Sequence, residues 1–487
     1  MTTSKSLILA MLCCVIPLAA AAPLRQTLAG PVQGLEQDGI LSFKGIPYAA
    51  SPTGHLRWQP PAPVQPWKAA RKADDFGPAC PQAEPIQPQS EDCLSLNLWT
   101  PARADGKLPV AVWIHGGAGI AGGSRQRGYD GANFARDGVI LVSINYRIGR
   151  LGFFAYDELE GKGGNFGYMD MVAALRWVRD NIASFGGDPG RVTIFGESSG
   201  AMAVTALMTM PEARGLFAAA IAESGGEGQM SPLADAIAAG QRFAASVGAR
   251  DLAELRALPA SAIVGQLGYD ALGREVRDGL FGSVMLDGRT LREQPGQVFK
   301  QGREAQVPYL SGANSREEAP YPPEFYGSQA AEAELSRLLQ AYPAQAAAAR
   351  IVYDLEHVGA AETLVQILSD SGYVEAARYY ARQHRPSWSY RFSYVASKDR
   401  ATLPGAPHAS EIAYVFDNLD AAASTEDKAV GAAVHGAWVR FMKQGDPGWA
   451  SFNGPDEPLM DFGVAGSAAG PDPRRARLDV ISSAKGR

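Results

Sequence analysis

The stretch Gly196-Glu197-Ser198-Ser199-Gly200 sets Ser198 at the centre of a G-x-S-x-G pattern. Before it, Arg191-Val192-Thr193-Ile194-Phe195 is a β-branched and aromatic run that reads as a buried strand. After it, Ala201-Met202-Ala203-Val204-Thr205-Ala206-Leu207 reads as a helix that ends before Pro211. A serine on such a sharp strand-to-helix turn presents its hydroxyl as a nucleophile, and flanking glycines leave room for the turn. In a chain with 54 glycines the bare pattern also arises by chance, so the strand and helix around it carry the weight. The chemistry implied is acyl transfer, which also needs a base and donors for an oxyanion.

His115-Gly116-Gly117-Ala118-Gly119 follows the apolar run 110–114. Its backbone N–H groups suit a developing negative charge, although on its own it also reads as a flexible glycine turn. Ser199 supplies a further N–H. The chain has six histidines: His55, His115, His357, His384, His408 and His435. His357, His384 and His435 fall in helical segments, His55 lies before the sheet, and His115 belongs to the glycine loop. His408 sits in the rigid late loop Pro404-Gly405-Ala406-Pro407-His408, where an elbow fold expects its base. The acid should follow a strand between serine and histidine. Val307–Ser311 and the turn Gly312-Ala313-Asn314-Ser315-Arg316-Glu317-Glu318 fit. From the residues alone Glu317, Glu318 and a merely solvated charged turn all stay open.

The elements that must position these groups read as an α/β chain. Gly30–Gln37 and Ile40–Ile46 form a hairpin about Asp38-Gly39. Val110–Ile114 and Val139–Ile144 are continuous apolar runs, as in strands covered on both faces. Asp170–Phe185 reads as a helix with Met171, Leu175, Val178 and Ile182 on one face, Asp170 as N-cap and Gly186-Gly187 as stop. Ala218–Ala222, Val307–Ser311 and Ser389–Tyr394 read as further strands, and Pro232–Val247, Gln329–Ala341 and Lys428–Lys443 as helices. Such alternation predicts a mainly parallel sheet.

The 487 residues are 46% hydrophobic and 20% charged, with a net charge of -6. There is ample material for a core and no polybasic surface, which argues against nucleic acid and anionic membrane as partners. Residues 1–22 read as an export signal: Lys5, a short apolar core from Leu7 to Leu18, and small residues at Ala19–Ala22 for cleavage after Ala20 or Ala21. Pro17 and the short run argue against a membrane anchor. The expected location is periplasmic or secreted. Cys13 and Cys14 would leave with the signal, so the mature chain keeps Cys80 and Cys93, an even count that in an exported protein points to one disulfide.

Several further blocks carry a resemblance. They are Glu91-Asp92-Cys93-Leu94-Ser95-Leu96-Asn97-Leu98-Trp99, Asn145-Tyr146-Arg147, Asn165-Phe166-Gly167-Tyr168-Met169-Asp170 and Gly405-Ala406-Pro407-His408-Ala409-Ser410-Glu411. With the elbow and His115-Gly116-Gly117, they resemble the type-B carboxylesterase/lipase family, the cholinesterase-like α/β hydrolases, from about residue 30 to 465. The resemblance implies an α/β-hydrolase fold: a large, mainly parallel central sheet flanked by helices. The chain itself, with no convincing linker, reads as one domain over 23–487 with helical cap insertions at about 228–305 and 319–385. The resemblance further implies a Ser198, Glu317, His408 triad, oxyanion donors at Gly117, Ala118 and Ser199, and a Cys80–Cys93 disulfide. A small-molecule carboxylic ester is the implied substrate, and no metal or organic cofactor is implied. A triglyceride lipase or natural-product esterase would share these residues, whereas a non-catalytic adhesion member of the fold usually lacks part of the triad. Two departures stand out: Ala118 replaces the usual third glycine, and Glu318 adds a second carboxylate beside the acid. The 80–93 loop also lacks the aromatic residue on which cholinesterases stack a quaternary ammonium, which makes choline esters poor candidates. The cap segments match no readable motif, and nothing in the sequence fixes the oligomeric state.

Overall fold

A computed structural model describes residues 22–103, 106–228, 230–282, 284–317, 328–454 and 456–487. The expected export signal, with Cys13 and Cys14, lies outside the described residues except for Ala22, and so does Glu318. An eleven-stranded sheet organises the chain. Its strands are β1 (Leu35–Gln37), β2 (Ile40–Pro47), β3 (Ser95–Pro101), β4 (Leu108–Ile114), β5 (Ile140–Ile144) and β6 (Gly187–Glu197). They continue with β7 (Ala219–Glu223), β8 (Tyr309–Asn314), β9 (Ser387–Phe392), β10 (Pro458–Gly463) and β11 (Gly466–Pro471). Their order is β11-β10-β9-β8-β7-β6-β4-β5-β3-β2-β1. From β10 to β5 every neighbour is parallel, and antiparallel pairs occupy both margins.

Eight helices matter below: α1 (Phe166–Asn181), α2 (Ser199–Thr209), α3 (Leu233–Ser246), α4 (Ser328–Ala341), α5 (Ala360–Ser369), α6 (Glu375–Gln383), α7 (Thr425–Gln444) and α8 (Arg475–Ala484). The central strands are apolar throughout because both faces are covered. Val110, Val112 and Ile114 of β4 pack in one core with Met171, Leu175 and Val178 of α1 and Val204 and Leu207 of α2. Ala111 and Trp113, pointing the other way, join Val434, Trp438 and Phe441 of α7. Among the described residues no helix is long and apolar enough to cross a membrane.

Two local expectations need correction. The run 30–37 is not one strand: it breaks at Gly34, where a Cβ would collide with the Ser42 carbonyl. Pro31–Gln33 instead joins a small separate sheet with Leu24–Gln26 and Arg71–Lys72, while Leu35–Gln37 forms the expected hairpin. Asp38 and Gly39 both have positive φ, as a two-residue hairpin turn demands. Asp170 is not an N-cap either, since α1 begins at Phe166 after Asn165. Asp170 lies inside the helix, fully buried, and accepts from Arg147 Nε and Nη2 at 2.8 and 2.7 Å. Breaking so buried a pair costs about 3–5 kcal/mol, so this carboxylate is committed to Arg147.

Parallel register brings the functional loops to one edge. Gly196 pairs with Ile114 and Glu197 with Glu223, so β4, β6 and β7 end side by side. The loops after β8 and β9 leave from the same end. Crevices at the carboxyl ends of parallel strands are where open α/β sheets bind ligands.

Candidate active site

Ser198 links β6 to α2 with φ 57° and ψ −124°, a left-handed conformation that costs a non-glycine residue about 1–3 kcal/mol. The surroundings enforce it. The Ser198 N–H donates to the Glu223 carbonyl at 2.9 Å, and its own carbonyl accepts from Met202 N–H at 3.0 Å. A Cβ at Gly196 would lie 2.5 Å from the Ile114 carbonyl oxygen, and one at Gly200 would strike the same oxygen. Both glycines of the elbow are therefore required by the close approach of β4. Ser198 is half-buried, with its hydroxyl at the open end of the sheet.

The loop after β4 wraps this turn. His115 is buried and stacks on Tyr146 with ring centroids 4.4 Å apart, and burial lowers its pKa to about 4. It is neutral and structural. Gly117 and Ala118 have φ of 113° and 55°, and Gly119 N–H donates to Ser199 Oγ at 3.1 Å. Ala118 thus holds the left-handed geometry that favours glycine, and its methyl group is exposed. Among the described residues, the N–H groups of Gly117 and Ala118 donate to no acceptor. That of Ser199, in the first turn of α2, has no intrahelical partner.

His408 meets a cluster of carboxylates. Its Nδ1 lies 2.6 Å from Glu317 Oε2, while Glu317 Oε1 accepts the Asn314 N–H at 2.6 Å. Its Nε2 lies 3.1 Å from Glu197 Oε1, a charge contact that misses hydrogen-bond geometry, since that oxygen has no hydrogen-bond partner. Among the described residues no hydrogen bond joins His408 to Ser198. Glu411 accepts from Asn314 Nδ2 at 2.6 Å and from Ser224 Oγ at 3.3 Å, and Glu223 accepts from Trp438 Nε1 at 2.7 Å. Burial opposes the imidazolium, but Glu197, Glu317 and Glu411 outweigh it and raise the His408 pKa to about 10. Burial also raises Glu197 and Glu411; repulsion from Glu411 and Glu317 adds to the first and from Glu317 to the second, although His408 opposes both shifts. Glu223 is raised by burial and by Glu411.

His55 is exposed before the sheet, and the other three histidines are engaged elsewhere. His384 is buried between Glu304 and the Val307 carbonyl, His435 contacts the Val415 carbonyl, and His357 pairs with Asp354 at the surface. Sequence reasoning missed Asn314, Glu197 and Glu411 as members of one cluster. Each stood in a quoted motif, but their convergence joins the ends of β6 and β8 to the start of a short helix, Ile412–Val415, that follows β9.

The molecule falls among known hydrolases. Residues 21–466 match the model of the Carboxylesterase family. The chain is 33% identical to the fumonisin B1 esterase of Sphingopyxis macrogoltabida, covering 93% of this chain and 89% of that protein. It is 34% identical to the para-nitrobenzyl esterase of Bacillus subtilis (strain 168), over 88% and 91% of the two chains. A solved PNB esterase structure superposes with a TM-score of 0.82 at 32% identity, covering 94% of this chain and 99% of that one. The chain, an α/β hydrolase that acts on carboxylic esters, belongs to the carboxylesterase family.

Proposed function

We propose that hydrolysis runs through an acyl-enzyme on Ser198, with His408 as general base and Glu317 holding its ring. The observation that carries this reading is the Ser198 turn at the mouth of a loop of free N–H groups, beside an imidazole held at Nδ1 by a buried carboxylate. Ser198 Oγ attacks the ester carbonyl carbon while its proton passes to His408 Nε2. Glu317 fixes the tautomer and stabilises the imidazolium. The N–H groups of Gly117, Ala118 and Ser199 hold the oxyanion; losing one such donor typically costs about a hundredfold or more in rate. The imidazolium then protonates the departing alcohol, and water, activated by the same histidine, releases the acid. Because Nε2 sits beside Glu197 without a directed bond, it is available to turn toward Ser198.

The segments at about 228–305 and 319–385 act as the cap that selects the ester. Supporting this, Leu267 and Phe281 pack on Ile120 and Ala121 just after the glycine loop, and Tyr373 packs on His408. The chain is exported, with residues 1–22 as its signal; the Cys80–Cys93 disulfide agrees with an oxidising compartment. The decisive experiment is hydrolysis of p-nitrophenyl acetate with fluorophosphonate labelling. Ser198→Ala should lose both turnover and label while keeping its unfolding midpoint, and Glu317→Gln should lose at least about a thousandfold in kcat. Turnover retained in Ser198→Ala would remove the assignment.

A further inference from the structure

Between α5 and α6 the chain does not break but widens: Asp370–Val374 is a π-helical turn within one continuous helical path. An extra residue in a helical turn shifts the phase of the side chains around it, and such turns concentrate at functional sites. Here Val374 is buried with Ala313 of β8 and Leu478 of α8, and Tyr373 packs against that cluster. The Tyr373 ring also lies over His408, with centroids 4.8 Å apart and planes tilted by 48°.

Helix α8 grips this turn along its length. Arg477 Nε lies 3.4 Å from Asp370 Oδ2, which also accepts from Tyr353 OH at 2.9 Å. Ser482 Oγ donates to Glu375 at the far side of the turn. Lys485 Nζ donates to the Ser371 carbonyl at 2.8 Å and lies 3.4 Å from Glu227 Oε2. Two of these ties come from α8 and one from Lys485 just past its end, so the turn is held from one side.

We propose that Tyr373 is a positioning residue for His408, and that α8 holds it there through the π-turn. This rests on His408 being the base proposed above. The bond to Glu317 fixes one end of the imidazole but leaves rotation about that contact. Glu197 Oε1 lies 3.1 Å from Nε2 and competes with the serine next in sequence for that end of the ring. A ring packed on the imidazole face limits that rotation. Misplacement by about 1 Å is enough to cost a hundredfold in rate.

The test is steady-state kinetics on p-nitrophenyl acetate together with the far-downfield proton resonance of His408 Nδ1–H. Tyr373→Ala should lower kcat about tenfold or more with KM within about twofold, and broaden that resonance; Tyr373→Phe should restore both. Arg477→Met should lower kcat in the wild-type background, yet add less than about twofold to Tyr373→Ala, because it acts through the same ring. Where the alanine variant loses its fold, Tyr373→Leu carries the same expectation. A kcat within about twofold of wild type for the folded variant, or additive effects of the pair, would overturn the proposal. Wild-type protein that takes no fluorophosphonate would overturn the reading of the site itself, a separate outcome.

Discussion

Three buried carboxylates around one imidazole decide how protons move at this site. Glu197, Glu317 and Glu411 outweigh burial and raise His408 to about 10, so the proton-bound ring is favoured over the form that can act as a base. In the reaction proposed above the neutral ring is the active form, and a raised pKa moves its appearance to higher pH. The rising limb of kcat/KM against pH should therefore lie above the ordinary imidazole value of 6.5. Glu197→Gln removes the charge 3.1 Å from Nε2 and should move that limb toward acid by about one unit or more. A limb that stays put or moves up would show that Glu197 does not face His408 as a carboxylate. The same shifts bear on stability. His408, Glu197 and Glu411 are all raised in the folded state, so each favours the proton-bound fold. The His408 contribution is complete below 6.5 and is lost as pH rises through about 10. The thermal midpoint should accordingly fall between pH 7 and 10, and fall less in Glu197→Gln.

Helix α7 reaches this cluster from the opposite face of the sheet, through Trp438 and Glu223, and its start is fixed by a capping box. Ser424 Oγ accepts the Asp427 N–H at 3.0 Å, and Asp427 Oδ2 accepts the Ser424 N–H at 2.8 Å. Tyr394 OH also donates to Asp427 at 2.6 Å. Ser424→Ala should cost about 1 kcal/mol, and Asp427→Ala about 2–3 kcal/mol because several donors lose their acceptor. Urea midpoints with an unchanged m-value check this. Burial acts to raise the Asp427 pKa, but the bonds from Tyr394, Ser424 and Ser397 overcome it and hold the group low. Its stabilisation is present above the ordinary carboxylate value of 3.8 and disappears as pH falls toward its depressed folded value. This helix was legible in the sequence from its apolar face, and α2 from the elbow and Pro211, because both signals are local. The start of α1 was not. An acidic residue before an apolar periodic run resembles a cap, but Asp170 answers to Arg147, 23 residues earlier and reached through a strand end. The π-turn left no trace in the local pattern either, since what holds it is α8 and the Lys485 that follows it, about a hundred residues later.

Across the whole molecule the same division holds between what a motif announces and what only the folded chain assembles. The serine, the glycine loop and the late histidine were each visible, while the carboxylate cluster needed the parallel register of β6, β7 and β8. The glycine loop proposed to hold the oxyanion shows how far such support extends. Gln82, inside the loop closed by the Cys80–Cys93 disulfide, is buried; its side chain donates to the Gly122 carbonyl at 2.7 Å and accepts the Gly122 N–H at 2.9 Å. Gly122 in turn follows Ala121, whose N–H donates to the Gly117 carbonyl at 2.9 Å. A second tie, Glu91 to Arg57, pins the other end of the disulfide loop, with Nε to Oε2 at 2.8 Å. The disulfide spans 13 residues, and closing a loop of that size contributes about 3 kcal/mol through the unfolded chain. In a protein of this length that corresponds to a thermal midpoint lowered by roughly 3 °C. Cys80→Ser with Cys93→Ser should show this drop, and should keep kcat within about twofold at 25 °C, because Gln82 and Glu91 still hold the loop natively. Adding Gln82→Leu leaves the Gly122 amide and carbonyl unpaired, and should lower kcat about tenfold through the oxyanion loop. Equal loss of kcat in the double serine variant would place the support in the covalent link itself and not in the hydrogen bonds it frames.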